Sequence, residues 1–234
     1  FGLDDFPPLS EVHQSWVDGT ANPSREIVAA TLANINKASR DHYRLMEVLL
    51  GRGNELSGEV PVNPSLVAGD EEGTLVRRTR VHSDYDYYLR HGFHLAPTAP
   101  HDNHYENWGT GHTSRTAIIA PSLTEDALLT GIEKRLVYAT EDQNLDLRFY
   151  AGGRVPMGGT LRTLSSTVEL DVRLSDPDFS GPYDVRVWRG KVGGEEVREV
   201  LQLAGIPGDT WTTLKVTVDE PGEWFFYLEV CEAN

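Results

Sequence analysis

The run Val168-Glu169-Leu170-Asp171-Val172-Arg173-Leu174 alternates apolar and charged side chains without a break. Successive residues of a strand point to opposite faces, so this run predicts a strand with one face on a core and the other in water. The same period of two recurs at Leu145, Leu147 and Phe149, and at Leu214, Val216 and Val218. Turn chemistry separates these runs at Gly152-Gly153, Gly158-Gly159, Asp176-Pro177-Asp178, Gly193-Gly194, Pro207-Gly208-Asp209 and Pro221-Gly222. With further apolar runs at 184–188, 196–203 and 224–230, about six or seven strands are expected. That number suffices for a small antiparallel β-sandwich over residues 143–234, with Trp211, Trp224, Phe225 and Phe226 in its core.

Upstream the punctuation changes, and a boundary is expected near residues 140–144, giving a first unit over 1–142. Asn22-Pro23 pairs a capping residue with proline at the first helical position, and Ile27, Val28, Leu32 and Ile35 then share one helix face. Tyr43-Arg44-Leu45-Met46-Glu47-Val48-Leu49-Leu50 is short, apolar and stopped by Gly51-Arg52-Gly53, which predicts a buried strand. Residues 58–79, rich in Pro, Gly and acids, read as a long surface loop. A helix over 83–91, with Tyr85, Tyr87 and Tyr88 on one flank, precedes a strand over 93–98 and a second buried strand at 117–120. Ser122 and Glu125 form a capping-box pair, and Lys134 and Arg135 suit the last turn of a helix over 122–135.

Composition narrows the function classes. Thirty-six acidic against 21 basic residues leave a net charge of -15, which repels phosphate backbones and anionic membranes, so nucleic acid is not an expected partner. The single cysteine, Cys231, excludes an internal disulfide and any cysteine-rich zinc motif. No apolar run reaches the length of a membrane span, and no signal peptide opens the chain. A start at Phe1 without methionine reads as a processed or excised chain, and this, with the acidic surface, favours an extracytoplasmic location.

The residues that could carry chemistry converge on His101-Asp102-Asn103-His104, which follows the apolar run at 93–98. Asp-x-His puts an oxygen and an imidazole donor on one side of an extended segment, as a hard or borderline divalent metal requires. A polar loop whose histidines cap turns is the competing reading. Glu47 lies within an apolar run, where an ionised carboxylate is costly unless a cation or strong donors neutralise it; Arg44 and Arg52 are ordinary partners for it. Arg115 suits either a substrate anion or a salt bridge.

Several of these runs, in order, resemble the PHP (polymerase and histidinol phosphatase) superfamily, in its hydrolase-like branch with a C-terminal β-domain. The segment from Tyr43 through Glu47 to Gly51-Arg52-Gly53 is similar to that branch's strand with Glu and a following Gly-x-Gly. Arg90-His91-Gly92-Phe93 through Asp102-Asn103-His104 resembles its last metal motif, and Arg115-Thr116-Ala117-Ile118-Ile119-Ala120 its closing strand. The resemblance covers most of residues 40–160. It implies an α/β fold, the C-terminal portion of a distorted β/α barrel, joined to the sandwich. It also implies divalent metal ions (Zn, Mn or Fe) on Asp102 and His104, with Glu47 supporting them and a small anionic substrate, most plausibly a phosphoester, reached by Arg115. The family's early His-x-His and its middle Glu and His ligands have no counterpart here, so the resemblance implies a companion polypeptide supplying the N-terminal barrel half. A non-catalytic module with protein or glycan contacts on the sandwich is the alternative.

Overall fold

The computed structural model describes residues 42–50, 53–54, 59–61, 75–77, 84–100 and 113–233. The helix expected after Asn22-Pro23, the loop bearing Asp102 and His104, and most of the 58–79 segment lie outside these residues. In chain order the elements are β1 (Leu45–Glu47), β2 (Leu49–Leu50), β3 (Gly53–Asn54), β4 (Glu59–Pro61), β5 (Leu75–Arg77), α1 (Asp84–Arg90), β6 (Ala96–Thr98), β7 (Arg115–Ile118), α2 (Glu125–Glu133), β8 (Val137–Thr140), β9 (Asp146–Ala151), β10 (Val155–Pro156), β11 (Thr167–Ser175), β12 (Tyr183–Lys191), β13 (Val197–Ile206), β14 (Thr212–Thr217) and β15 (Trp224–Glu232).

The alternating runs build two antiparallel sheets, in the orders β10-β9-β11-β14 and β13-β12-β15. Along β11, Val168, Leu170, Val172 and Leu174 are buried, and they meet Tyr183, Val185 and Val187 of β12, Ile206 of β13, and Leu214 and Val216 of β14 in one core. The charged residues between them face water, where Glu169 pairs with Lys215 across the strands at 3.2 Å. Trp211 departs from its expected place in this core: it is 52 % exposed, with its ring set edge-on to Tyr150 at 5.7 Å. It precedes β14 rather than sitting at an inward position of it, so its side chain escapes the alternation.

The β13-β12-β15 sheet is covered on its other face as well. There Val197 and Tyr227, flanked by Trp188 and Phe225, pack against Val48, Tyr85, Leu89, Phe93 and Leu95 in a second core. Tyr227 stacks on Trp188 at 6.4 Å and meets Tyr85 edge-on at 5.5 Å. Its hydroxyl donates to Oδ1 of fully buried Asp86 at 2.6 Å. The last residue of α1 is fixed to the turn between β12 and β13: Arg90 Nη1 donates to Glu195 O at 2.6 Å, and the Gly193 amide to Arg90 O at 2.7 Å. Gly190 is required within β12, because the Phe225 ring occupies the space a Cβ would need.

The expected α/β barrel portion is overturned. Strand far outweighs helix, the strands form several small sheets, and no barrel closes among the described residues. The pairing gives the reason. A barrel needs parallel neighbours throughout, yet β7 and β8, joined through α2, pair antiparallel from Arg115↔Thr140 to Ile118↔Val137. Among the described residues only β1 and β6 pair in parallel, in the register Leu45↔Ala96 to Glu47↔Thr98. The run 43–50 is not one strand either: at buried Val48 the chain leaves β6 for the small antiparallel sheet β2-β3-β4-β5.

Helix α2 begins later than its sequence signal. Thr124 occupies the N-cap without a side-chain cap bond, and the Ser122 hydroxyl lies 3.2 Å from that of Thr124 instead of serving a capping box. Arg135 falls beyond the helix at φ 58 and donates through Nε to His94 O. No helix among the described residues is long and apolar enough to cross a membrane.

The Tyr227 hydroxyl is the buried side-chain tie between α1 and the middle sheet. Tyr227→Phe leaves the ring stack in place but removes the donor to a buried carboxylate, a loss of about 1–3 kcal/mol. Urea unfolding of the two chains at neutral pH measures it, and an unchanged midpoint would contradict this role.

Candidate functional site

Asp102 and His104, the expected metal ligands, lie outside the described residues, so their geometry enters no statement here. Glu47 closes β1 and is exposed, which corrects the expectation of a carboxylate held in apolar surroundings. The neighbouring Val48 takes the buried position, at 0 % exposure, and its amide donates to Thr98 O at 3.0 Å. Arg115 opens β7, partly buried, with Nη1 donating to Ser114 O at 2.8 Å and Thr113 O at 3.1 Å.

These elements share one end of the small parallel pair. Glu47 stands opposite Thr98, whose hydroxyl donates back to Met46 O at 3.1 Å. One residue on, the Ala99 amide donates to Thr116 Oγ1 at 2.9 Å, which ties the exit of β6 to the start of β7 beside Arg115. Parallel strands therefore bring Glu47, the exit of β6 and the start of β7 to the same edge. Carboxyl ends of parallel strands are where open α/β sheets place ligands, because loops and unpaired backbone groups converge there.

A second group of chemically capable residues sits at one end of the paired sheets. Asp142 lies in the turn between β8 and β9, Asp176 directly follows β11, and Glu232 is the last residue of β15. One carboxylate oxygen from each lies within 4.8 Å of the others. The local chain fixes two of them: Asp142 Oδ1 accepts from the Asn144 and Leu145 amides at 2.7 and 2.8 Å, and Asp176 Oδ1 accepts from the Asp178 and Phe179 amides at 2.7 and 3.3 Å. Asp176 is only 8 % exposed, and its Oδ2 is buried without a hydrogen-bond partner. At such separations two carboxylates repel by on the order of 3 kcal/mol at an effective dielectric constant near 20, less where water screens exposed Glu232. Among the described residues no Lys, Arg or His pairs with any of the three.

The opposite end of the same strands is built differently. Arg189 Nη2 pairs with Asp219 at 2.7 Å, its guanidinium lies 4.8 Å from the Trp224 ring, and Lys191 pairs with Glu220 at 2.6 Å. Cation and anion are matched there.

Nothing in the sequence spacing joins Asp142, Asp176 and Glu232. Asp176 was legible as part of the turn Asp176-Pro177-Asp178, but only the pairing of β12 with β15, which sets Tyr183 against Glu232, brings the chain's end to that turn. Tyr183 registers the convergence. Its hydroxyl, which donates to Phe179 O at 2.9 Å, is pushed up to about 12 by burial first and then by the negative charge of Asp176, Glu232, Asp142 and Asp209.

A folded-state value above the unfolded one means that the neutral phenol's contribution is complete below about pH 10 and is lost as pH rises through about 12. Alkaline unfolding followed by circular dichroism checks this, with a steeper loss of stability in that window for the natural chain than for Tyr183→Phe. Comparison with protein-family models, with curated proteins and with solved structures finds no match to this chain.

Proposed function

We propose that the edge carrying Glu47, with residues 101–112 that follow β6 in the sequence, belongs to a metal-dependent hydrolase acting on a small phosphoester. The observation that supports this reading is the parallel register Glu47↔Thr98: Asp102 follows Thr98 by four residues in the sequence, and Glu47 and Arg115 lie at the end where β6 closes. The ordered resemblance of residues 40–160 to a metallohydrolase superfamily supports the reaction class, though not the barrel. Asp102 and His104 are the proposed ligands of a divalent Zn, Mn or Fe ion. Such an ion supplies Lewis acidity and a more acidic bound water. Glu47 supports the ligands from beside them, and Arg115 offers positive charge to the substrate anion. An Asp and a His leave a coordination shell incomplete, so the remaining donors are assigned to a companion polypeptide.

The test uses the chain together with whatever polypeptide co-purifies with it. Asp102→Ala and His104→Ala are each expected to lower bound transition metal and p-nitrophenyl phosphate hydrolysis by more than about tenfold, since losing even an outer-shell partner of a metal ligand costs about 10–100-fold. Metal content and turnover unchanged in both variants would sink the assignment.

One observation favours a second reading, a non-catalytic binding module. The Trp211–Tyr150 pair presents half-exposed aromatic surface on the β9 side of the paired sheets, a suitable platform for stacking a sugar ring. Under this reading Trp211→Ala abolishes retention on immobilised polysaccharide without shifting the thermal midpoint, whereas equal retention of both chains excludes it.

A further inference from the structure

We propose that Asp142, Asp176 and Glu232 form a calcium site that ties the two sheets together at one end. Three features of the cluster point to a cation as its missing component. The three carboxylates converge within 4.8 Å, no cationic side chain among the described residues pairs with them, and Asp176 is more than nine-tenths buried with Oδ2 lacking any donor. A buried carboxylate oxygen that accepts nothing is costly unless a positive charge satisfies it. The second oxygen of the same carboxylate is held by the Asp178 and Phe179 amides, so the side chain is fixed with Oδ2 left for another partner.

The donor set selects the ion. All three donors are oxygens, with no imidazole or thiolate among them, which suits a hard cation rather than zinc or copper. With the three oxygens no more than 4.8 Å apart, a common centre lies no more than about 2.8 Å from each, within a few tenths of an ångström of the calcium–oxygen distance of roughly 2.3–2.6 Å. Magnesium, with oxygens at about 2.0–2.1 Å and a strict octahedron, demands a tighter set. Carbonyl oxygens and water complete the six to eight ligands that calcium typically takes.

The placement gives the ion a structural role. Asp142 precedes β9 and Asp176 follows β11, both of one sheet, while Glu232 ends β15 of the other. Binding therefore joins the layers and anchors the last strand where it pairs with Tyr183. The three carboxylates are not residues of the proposed hydrolytic edge, and the proposal does not depend on that edge; Thr140, opposite Arg115, links the two, its hydroxyl accepting from the Asp142 amide at 3.0 Å.

Thermal unfolding of the full chain, after chelator treatment and dialysis, is compared in excess chelator, in about 2 mM Ca²⁺ and in about 2 mM Mg²⁺, with calorimetric titration of Ca²⁺ alongside; extracellular modules bind calcium in about this range. Calcium is expected to raise the midpoint by about 2–5 °C, and magnesium by less than half as much. Asp176→Asn keeps the Oδ1 acceptor for the turn and is expected to abolish the calcium shift while melting no lower than the natural chain in chelator. Glu232→Gln, at an exposed position where folding is not at risk, is expected to weaken calcium binding about tenfold. Equal midpoints in calcium and chelator with no binding heat overturn the proposal, as does a calcium shift that survives both substitutions. An equal response to magnesium overturns the choice of calcium.

Discussion

The β13-β12-β15 sheet carries apolar side chains that need cover on both of its faces, and the rest of the described structure follows from that constraint. Val185 and Val187 of its central strand are closed off by the β11 sheet, while Trp188 and Tyr227 on the reverse side need cover of their own. A sheet with two apolar faces cannot end a domain; it must lie in the middle of one. The short helix α1, only Asp84–Arg90, holds together because Tyr85 and Leu89 are driven onto that reverse face. Seven residues would not persist as a helix alone in water. Its tie through Asp86 and Tyr227 fixes which way round it lies, and apolar burial alone would not do so.

This arrangement explains which parts of the fold could be read in advance. Strict alternation in Val168 to Leu174 announces a sheet with one wet face, and β11 has one. The run Trp224-Phe225-Phe226-Tyr227-Leu228 does not alternate. Its unbroken apolar character is the signature of burial on both sides, and it marks the middle layer that a simple two-sheet expectation lacks. Phe225 faces one core and Phe226 the other. The exposure of Trp211 follows from its place before β14, which composition cannot reveal.

Strand direction was not legible. A short apolar run such as Arg115-Thr116-Ala117-Ile118 carries the same hydrophobic signal whether its partner runs parallel or antiparallel, so a resemblance to barrel strands could not decide how β7 meets β8. The carboxylate cluster was hidden for a related reason. Asp142, Asp176 and Glu232 belong to separate turns and a strand end, and no spacing rule connects them until pairing in two different sheets is known. Glu47 shows the reverse error: an apolar neighbourhood in sequence became a solvent-facing position once Val48 took the interior.

The two ends of β12 are electrically unlike. At the Lys191 end Arg189 and Lys191 each meet an acid, whereas beside Tyr183 the acids Asp142, Asp176 and Glu232 go unmatched by basic side chains among the described residues. Such a lengthwise imbalance acts as a permanent dipole along the strands. In dilute salt, where fields reach roughly 30 Å, it favours approach of a positively charged group at the Tyr183 tip. At about 1 M salt the reach shrinks to roughly 3 Å, and the preference in orientation disappears.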